Sequence, residues 1–271
     1  MIGPSALAQR ERLDAAPAGA IVISDLSVRF HTDAGEISAL GGVSLSVSRG
    51  EFISLLGPSG CGKSTLLRVV ADLIPPSDGA VTVLGEPPEG ARRQRELGFV
   101  FQDAALLPWR TALSNVRLPL EVGKFAQRGR PAAKPEELLE LVGLKGFENA
   151  LPKQLSGGMR QRVSIARALV AEPSILLMDE PFGALDEIQR DRLNVELLRI
   201  WEKTGLTVLF VTHSIPEAVF LSQKVVVMSP RPGRVREVVE IRLPYPRHLS
   251  IKDGPEFGHC AARLRRLLGE V

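Results

Sequence analysis

Cysteine is scarce: 271 residues hold two, Cys61 and Cys260, with no CxxC pair. That leaves no disulfide framework and no zinc ligand set, since His259 beside Cys260 cannot build one alone, and a reducing cytosolic compartment fits. Long hydrophobic runs are missing too. The longest, Ile175–Met178 and Val225–Met228, have strand length, far below the roughly 18 residues of a membrane-spanning helix. Arg10, Glu11, Arg12 and Asp14 interrupt the Ala- and Pro-rich start, which argues against a secretory signal and for a frayed extension over residues 1–20. The 25 Gly and 20 Pro are too few for a collagen-like or disordered chain. A net charge of only +3 is local in origin: residues 231–271 carry nine Lys/Arg against five Asp/Glu, read as a basic C-terminal tail with a solvated face, and no nucleic-acid partner is expected.

What is present is an ordinary globular composition, 44% hydrophobic and 24% charged, with no internal repeat. Alternation in Ile21–Phe30 and Val43–Val47, linked by a turn around Asp33–Gly35, predicts antiparallel strands with one wet face. Phe52–Leu56 is a short apolar strand running into a glycine-rich turn and a helical pattern from Ser64. Ser174–Met178, Thr207–Val211 and Lys224–Met228 read as buried parallel strands separated by amphipathic patterns such as Ile188–Thr204. Between Asp103 and Pro173 strand signals vanish, and helical segments are punctuated by Pro108, Pro119, Pro131, Pro135 and Pro152.

Gly57, Pro58, Ser59, Gly60, Cys61, Gly62, Lys63 and Ser64 match G-x-x-x-x-G-K-[ST] between a strand and a helix, with Thr65 following. Glycines let backbone N–H groups converge on phosphate oxygens, Lys63 can reach the β- and γ-phosphates, and the Ser64 hydroxyl can ligate Mg²⁺. The chain is therefore expected to bind a nucleoside triphosphate, with Cys61 a small spacer. Asp179 and Glu180 end a buried strand, where ligands of open α/β sheets gather. Asp179 suits a water-mediated hold on Mg²⁺ and Glu180 suits polarisation of an attacking water. Ser156 is a good N-cap for a helix that Gly157 and Gly158 open, whose free N–H groups face an anion. Ser214 and Glu217 stand at capping-box spacing just after His213.

With Leu155–Gln161 in view, the chain resembles the ATP-binding subunit of an ATP-binding cassette transporter, over about residues 21–235 and with the motifs in family order. The expected architecture is α/β: a P-loop NTPase core with a parallel sheet, an N-terminal antiparallel β subdomain and an inserted helical subdomain. The nucleotide-binding domain is placed at residues 21–230 with the insertion at about 103–173. The resemblance implies ATP and Mg²⁺ as ligands, hydrolysis as the activity, Ser156, Gly157, Gly158 and Gln161 as signature residues, and Gln102 as a sensor of Mg²⁺ and water. It implies that His213 contacts the γ-phosphate and Glu180, although by residue type alone a structural histidine serves equally. Phe30 is implied to stack on adenine; core packing in an alternating strand remains open beside it. Gly183–Asp186 is similar to the D-loop, with Gly183 where Ser is frequent.

One set of motifs per chain implies a head-to-tail dimer with a second copy of itself, in which the signature of one chain completes the other's site. Gln102–Thr111 and Met228–Arg234 are similar to nitrate, sulfonate and taurine importer ATPases. That branch implies two transmembrane permease subunits, a solute-binding protein acting through them, and a peripheral place on the cytoplasmic face of a bacterial inner membrane. Leu106, Leu107 and Trp109 either line the groove for a permease helix or pack in the core. The rival reading is a soluble ATP-switched clamp of the same superfamily with no membrane partner; it lacks support because the chain has neither a long coiled-coil insertion nor a second cassette.

Overall fold

A computed structural model describes residues 19–33, 35–122, 133–183 and 185–269. Residues 1–18 of the expected N-terminal extension, Pro131 and Ala184 lie outside them. Nine strands are described: β1 Ile21–Thr32, β2 Gly35–Val47, β3 Phe52–Leu56, β4 Asp78–Val83, β5 Leu97–Val100, β6 Ile175–Asp179, β7 Thr207–Thr212, β8 Lys224–Met228 and β9 Val235–Glu240. They form an antiparallel three-stranded sheet, β2-β1-β4, and a six-stranded sheet, β5-β6-β7-β3-β8-β9, parallel except for β9.

The parallel strands are buried on both faces, and that explains their apolar runs. Side chains still alternate: Phe52, Leu56, Leu176, Met178 and Phe210 face one core, while Ile53, Leu55, Leu177, Leu209 and Val211 face the other. The first core is covered by helices and the second by the antiparallel sheet and α1 (Lys63–Val70). Between β5 and β6 the chain is helical, with α3 (Ala112–Glu121), α4 (Pro135–Leu141) and α5 (Gly157–Leu169), after the short α2 (Pro88–Arg93). Thr111 caps α3 by accepting from Ser114 N, and Ser156 caps α5 by accepting from Met159 N, each satisfying a helix N–H that would otherwise lack a partner. Helices α6 (Glu187–Thr204) and α7 (Ile215–Leu221) follow β6 and β7. Among the described residues no helix is long and apolar enough to cross a membrane.

Residues 231–269 of the segment set apart above as a tail are built into the fold. Strand β9 pairs antiparallel with β8, Val239 opposite Val225, and α8 (Pro255–Leu268) buries Phe257, Ala261 and Leu264 in the helical-side core. The β8–β9 connection reaches the other sheet. Gly233 N donates to Ala39 O at 2.9 Å, Gly41 N donates to Gly233 O at 3.0 Å, and Leu40 bridges Gly233 in parallel. The two sheets are thereby joined beside the glycine-rich turn.

Candidate nucleotide site

Strands β6, β7 and β3 are neighbours and parallel, so their carboxyl ends open onto one edge. The turn after β3 leads into α1, which opens with Lys63 and Ser64, β6 ends in Asp179 and continues to Glu180, and β7 leads to His213. Residues far apart in sequence meet there because the sheet order places them side by side.

The turn is shaped by its glycines. Gly62 has φ +101°, and a Cβ there would sit 2.6 Å from Leu40 Cδ2 and 2.9 Å from Ala39 O. Only glycine takes both the left-handed backbone and that close approach. Gly62 is also the N-cap residue of α1 and offers no capping side chain, so the first N–H groups of the helix are available to an anion. Gly57, Pro58 and Cys61 form the frame of the loop. Cys61 is buried with its Sγ turned under Gly57. Lys63, 5% exposed, donates from Nζ to Gly57 O at 2.7 Å and Pro58 O at 3.0 Å and lies 3.9 Å from Cys61 Sγ, so the ammonium is held against the loop beside the cleft.

Ser64 Oγ donates to Asp179 Oδ1 at 2.6 Å. Burial pushes the Asp179 carboxyl above its usual range and Glu180 adds to the effect; the Ser64 hydrogen bond, Arg68 and Lys63 oppose it. Two hard oxygens side by side, one of them on a buried carboxylate whose charge Arg68 and Lys63 offset only in part, fit Mg²⁺. That ion takes one or two protein oxygens and fills its octahedron with phosphate and water. Among the described residues no three His, Cys, Asp or Glu side chains cluster as a metal cage. Glu180 adopts φ +43°, unusual for a side chain of its size, with its N–H bonded to Val211 O at 3.1 Å. Its Oε2 lies 3.2 Å from His213 Nδ1.

Ser59, Gly60, Lys63, Ser64, Thr65 and Glu180 line a cleft of about 200 Å³ together with Phe30, which is 40% exposed at its mouth. Arg231, given no role by sequence reasoning, lines it as well.

The expected signature residues lie elsewhere. Ser156 and Gly158 border one cleft of about 330 Å³. Gly157 and Gln102 border another of about 450 Å³. None of the four lines the Lys63 cleft of the same chain. Gln161, expected to face nucleotide, is 4% exposed and donates to Phe101 O at 3.1 Å, so its amide ties α5 to the end of β5. Ser214 does cap α7, accepting from Glu217 N, yet the reciprocal half of the capping box is absent. Glu217 instead accepts from Thr212 Oγ1 and faces Arg190 Nε at 3.5 Å, while Ser214 N donates to Thr212 Oγ1. Leu106 packs at the edge of the core, whereas Trp109 is 73% exposed.

Comparison with known proteins bears on this arrangement. A family model described as ABC transporter matches residues 40–183. The chain is 42% identical to the aliphatic sulfonates import ATP-binding protein of Bacillus cereus, over 84% of this chain and 88% of that one. It is 47% identical to the taurine import ATP-binding protein of Rhizobium johnstonii, over 86% and 89%. Among solved structures, a dimeric ATP-binding cassette in a post-hydrolysis state with ADP and Pi superposes with a TM-score of 0.72 at 34% identity, covering 83% of this chain and all of that one.

Proposed function

Because the chain belongs to the ABC transporter family and carries its ATPase fold, we propose that it is the ATP-hydrolysing subunit of an importer for a small sulfonate-like solute. The observation that carries this reading is the meeting of Lys63, Ser64, Asp179, Glu180 and His213 at the carboxyl edge of three adjacent parallel strands. The solute class rests on likeness to relatives named for sulfonate and taurine import.

The N–H groups of the loop and of the α1 N-terminus hold the phosphates, with Lys63 supplying a positive charge. Ser64 and Asp179 would hold Mg²⁺, which would offset charge on the triphosphate. Glu180 accepts a proton from water as the water oxygen bonds to the γ-phosphorus. The bond from that phosphorus to the β-γ bridging oxygen breaks, giving ADP and phosphate. His213 orients the Glu180 carboxylate. Phe30 stacks on the base.

In this reading Ser156 and Gly157 serve a second copy, because the clefts they border are separate from the Lys63 cleft. Two chains head to tail would complete each other's sites, and hydrolysis would loosen the pair. A further groove of about 510 Å³ between the helical segment and β5 is lined by Phe99, Phe101, Leu118 and Pro119, with Arg95 and Arg167 at its border. Its mixture of apolar floor and basic rim suits a permease segment on the cytoplasmic face of the membrane.

The test is sedimentation of the Glu180→Gln chain with and without ATP, together with phosphate release by the unaltered chain. An ATP-dependent dimer and turnover lost only in the variant are expected. A chain that stays monomeric with saturating ATP, or a variant that turns over normally, would overturn the reading. Copurification of the full chain with two apolar membrane subunits tests the transport assignment separately.

A further inference from the structure

We propose that Arg231 is a second cation, beside Lys63, for the phosphate chain in the nucleotide cleft. The inference rests on the nucleotide reading above and adds a binding residue to it.

Three observations carry it. Arg231 lines the same cleft as Lys63, Ser64 and Glu180, and its Nη2 comes within 3.9 Å of the point where a Cβ on Gly60 would stand, at the crest of the phosphate loop. The backbone that carries it is fixed by packing. Gly233, two residues on, lies so close to the loop that a Cβ there would be 1.9 Å from Cys61 O, and its N–H and carbonyl are both bonded to β2, at Ala39 and Gly41. Ser229 closes the connection, its N–H bonding Arg234 O at 3.0 Å and its Oγ accepting from Arg234 N at 3.1 Å. Finally, among the described residues Arg231 makes no ion pair or hydrogen bond. Glu180 of the same cleft is turned to His213 instead.

A guanidinium near the loop crest without a carboxylate is a vacant fork of N–H donors. The group that the loop presents to it is an oligophosphate, whose paired oxygens match that fork. Lys63 has already committed two donors to the loop's own carbonyls, so a further cation at the mouth supplies charge that the loop otherwise lacks. The residue is exposed, and water screening keeps the effect modest in size.

The test is calorimetric titration of ATP and AMP into full-length chains carrying Glu180→Gln, to stop turnover, with Arg231 kept or changed to Lys, Gln or Glu. ATP affinity is expected to fall in the order Arg, Lys, Gln, Glu, with Arg231→Gln about tenfold weaker. The loss should be greater for ATP than for AMP, because AMP lacks the outer phosphates. A flat series overturns the proposal, as does an equal loss for both nucleotides, which would place the guanidinium away from the β- and γ-phosphates. Thermal unfolding without nucleotide is expected to be unchanged, and a merely structural role would show no ordering by charge. Lys63→Ala serves as the reference. If it abolishes ATP binding while the Arg231 series is flat, only this inference fails. If it too binds ATP normally, the nucleotide reading of the whole cleft fails.

Discussion

His213 Nδ1 stands 3.2 Å from Glu180 Oε2, a contact made across two neighbouring parallel strands by residues 33 apart in the chain. The imidazole fixes the carboxylate of a residue whose backbone is itself in the left-handed region. Both devices restrict where the Glu180 oxygens can point, which suits the general-base role proposed for it.

Glu180→Gln is therefore expected to lower phosphate release by about 10²–10⁴-fold while ATP affinity changes little, since the amide keeps the shape and loses the basicity. His213→Ala, which removes the orienting contact and leaves the base, should cost less than Glu180→Gln. Single-turnover phosphate release checks the ranking, and a His213→Ala chain with unaltered turnover would refute the orienting role.

Asp179 gives a prediction with a sign. Burial raises its folded pKa, so the ionised form opposes folding. That opposition is complete above the folded pKa, relaxes as pH falls toward the unfolded value, and is absent below it. Asp179→Asn should therefore raise the unfolding temperature of the nucleotide-free chain at about pH 8 and gain less at about pH 4, while Mg²⁺-dependent turnover is lost. A lower unfolding temperature in the variant at the higher pH would contradict this. The carbonyl of Asn can still accept from Ser64, so the comparison isolates the charge.

Gly62→Ala is expected to destabilise the chain by about 2 kcal/mol or more, since the new methyl must displace Leu40 and the backbone stays at φ +101°. Urea unfolding measures it, and an unchanged midpoint would remove the steric argument for glycine at this position.

Ser156→Arg places bulk in a cleft separate from the one holding Lys63. ATP binding by the monomer should stay within about twofold, with about 1 kcal/mol of stability lost through the missing cap. The ATP-dependent dimer should disappear. Sedimentation and titration on the same sample decide it, and a dimer that persists would refute a signature role at the interface.

The parallel core was legible because Phe52–Leu56, Ile175–Asp179 and Thr207–Thr212 are mostly apolar, with successive apolar residues rather than alternation, the mark of strands covered on both faces. Strand β9 was not. Arg236, Glu237 and Glu240 mark it as a wet edge, and among its residues only Val239 is fully buried, too weak a signal to lift it out of a basic tail. The phosphate loop was legible because eight consecutive residues carry its mechanism. Arg231 was not, since what makes it relevant is the docking of Gly233 on Cys61, a contact that no local spacing encodes. Gln161 and Glu217 show a similar limit: residue type named both as polar, and only tertiary packing decides that their side chains turn inward to Phe101 O and Thr212 Oγ1.

The strand-like join of Leu40 to Gly233 has a mechanical consequence. Phe30 belongs to one sheet and Lys63 follows a strand of the other, and both line the cleft. Any motion that parts the two sheets there must first break the Gly233 hydrogen bonds to Ala39 and Gly41.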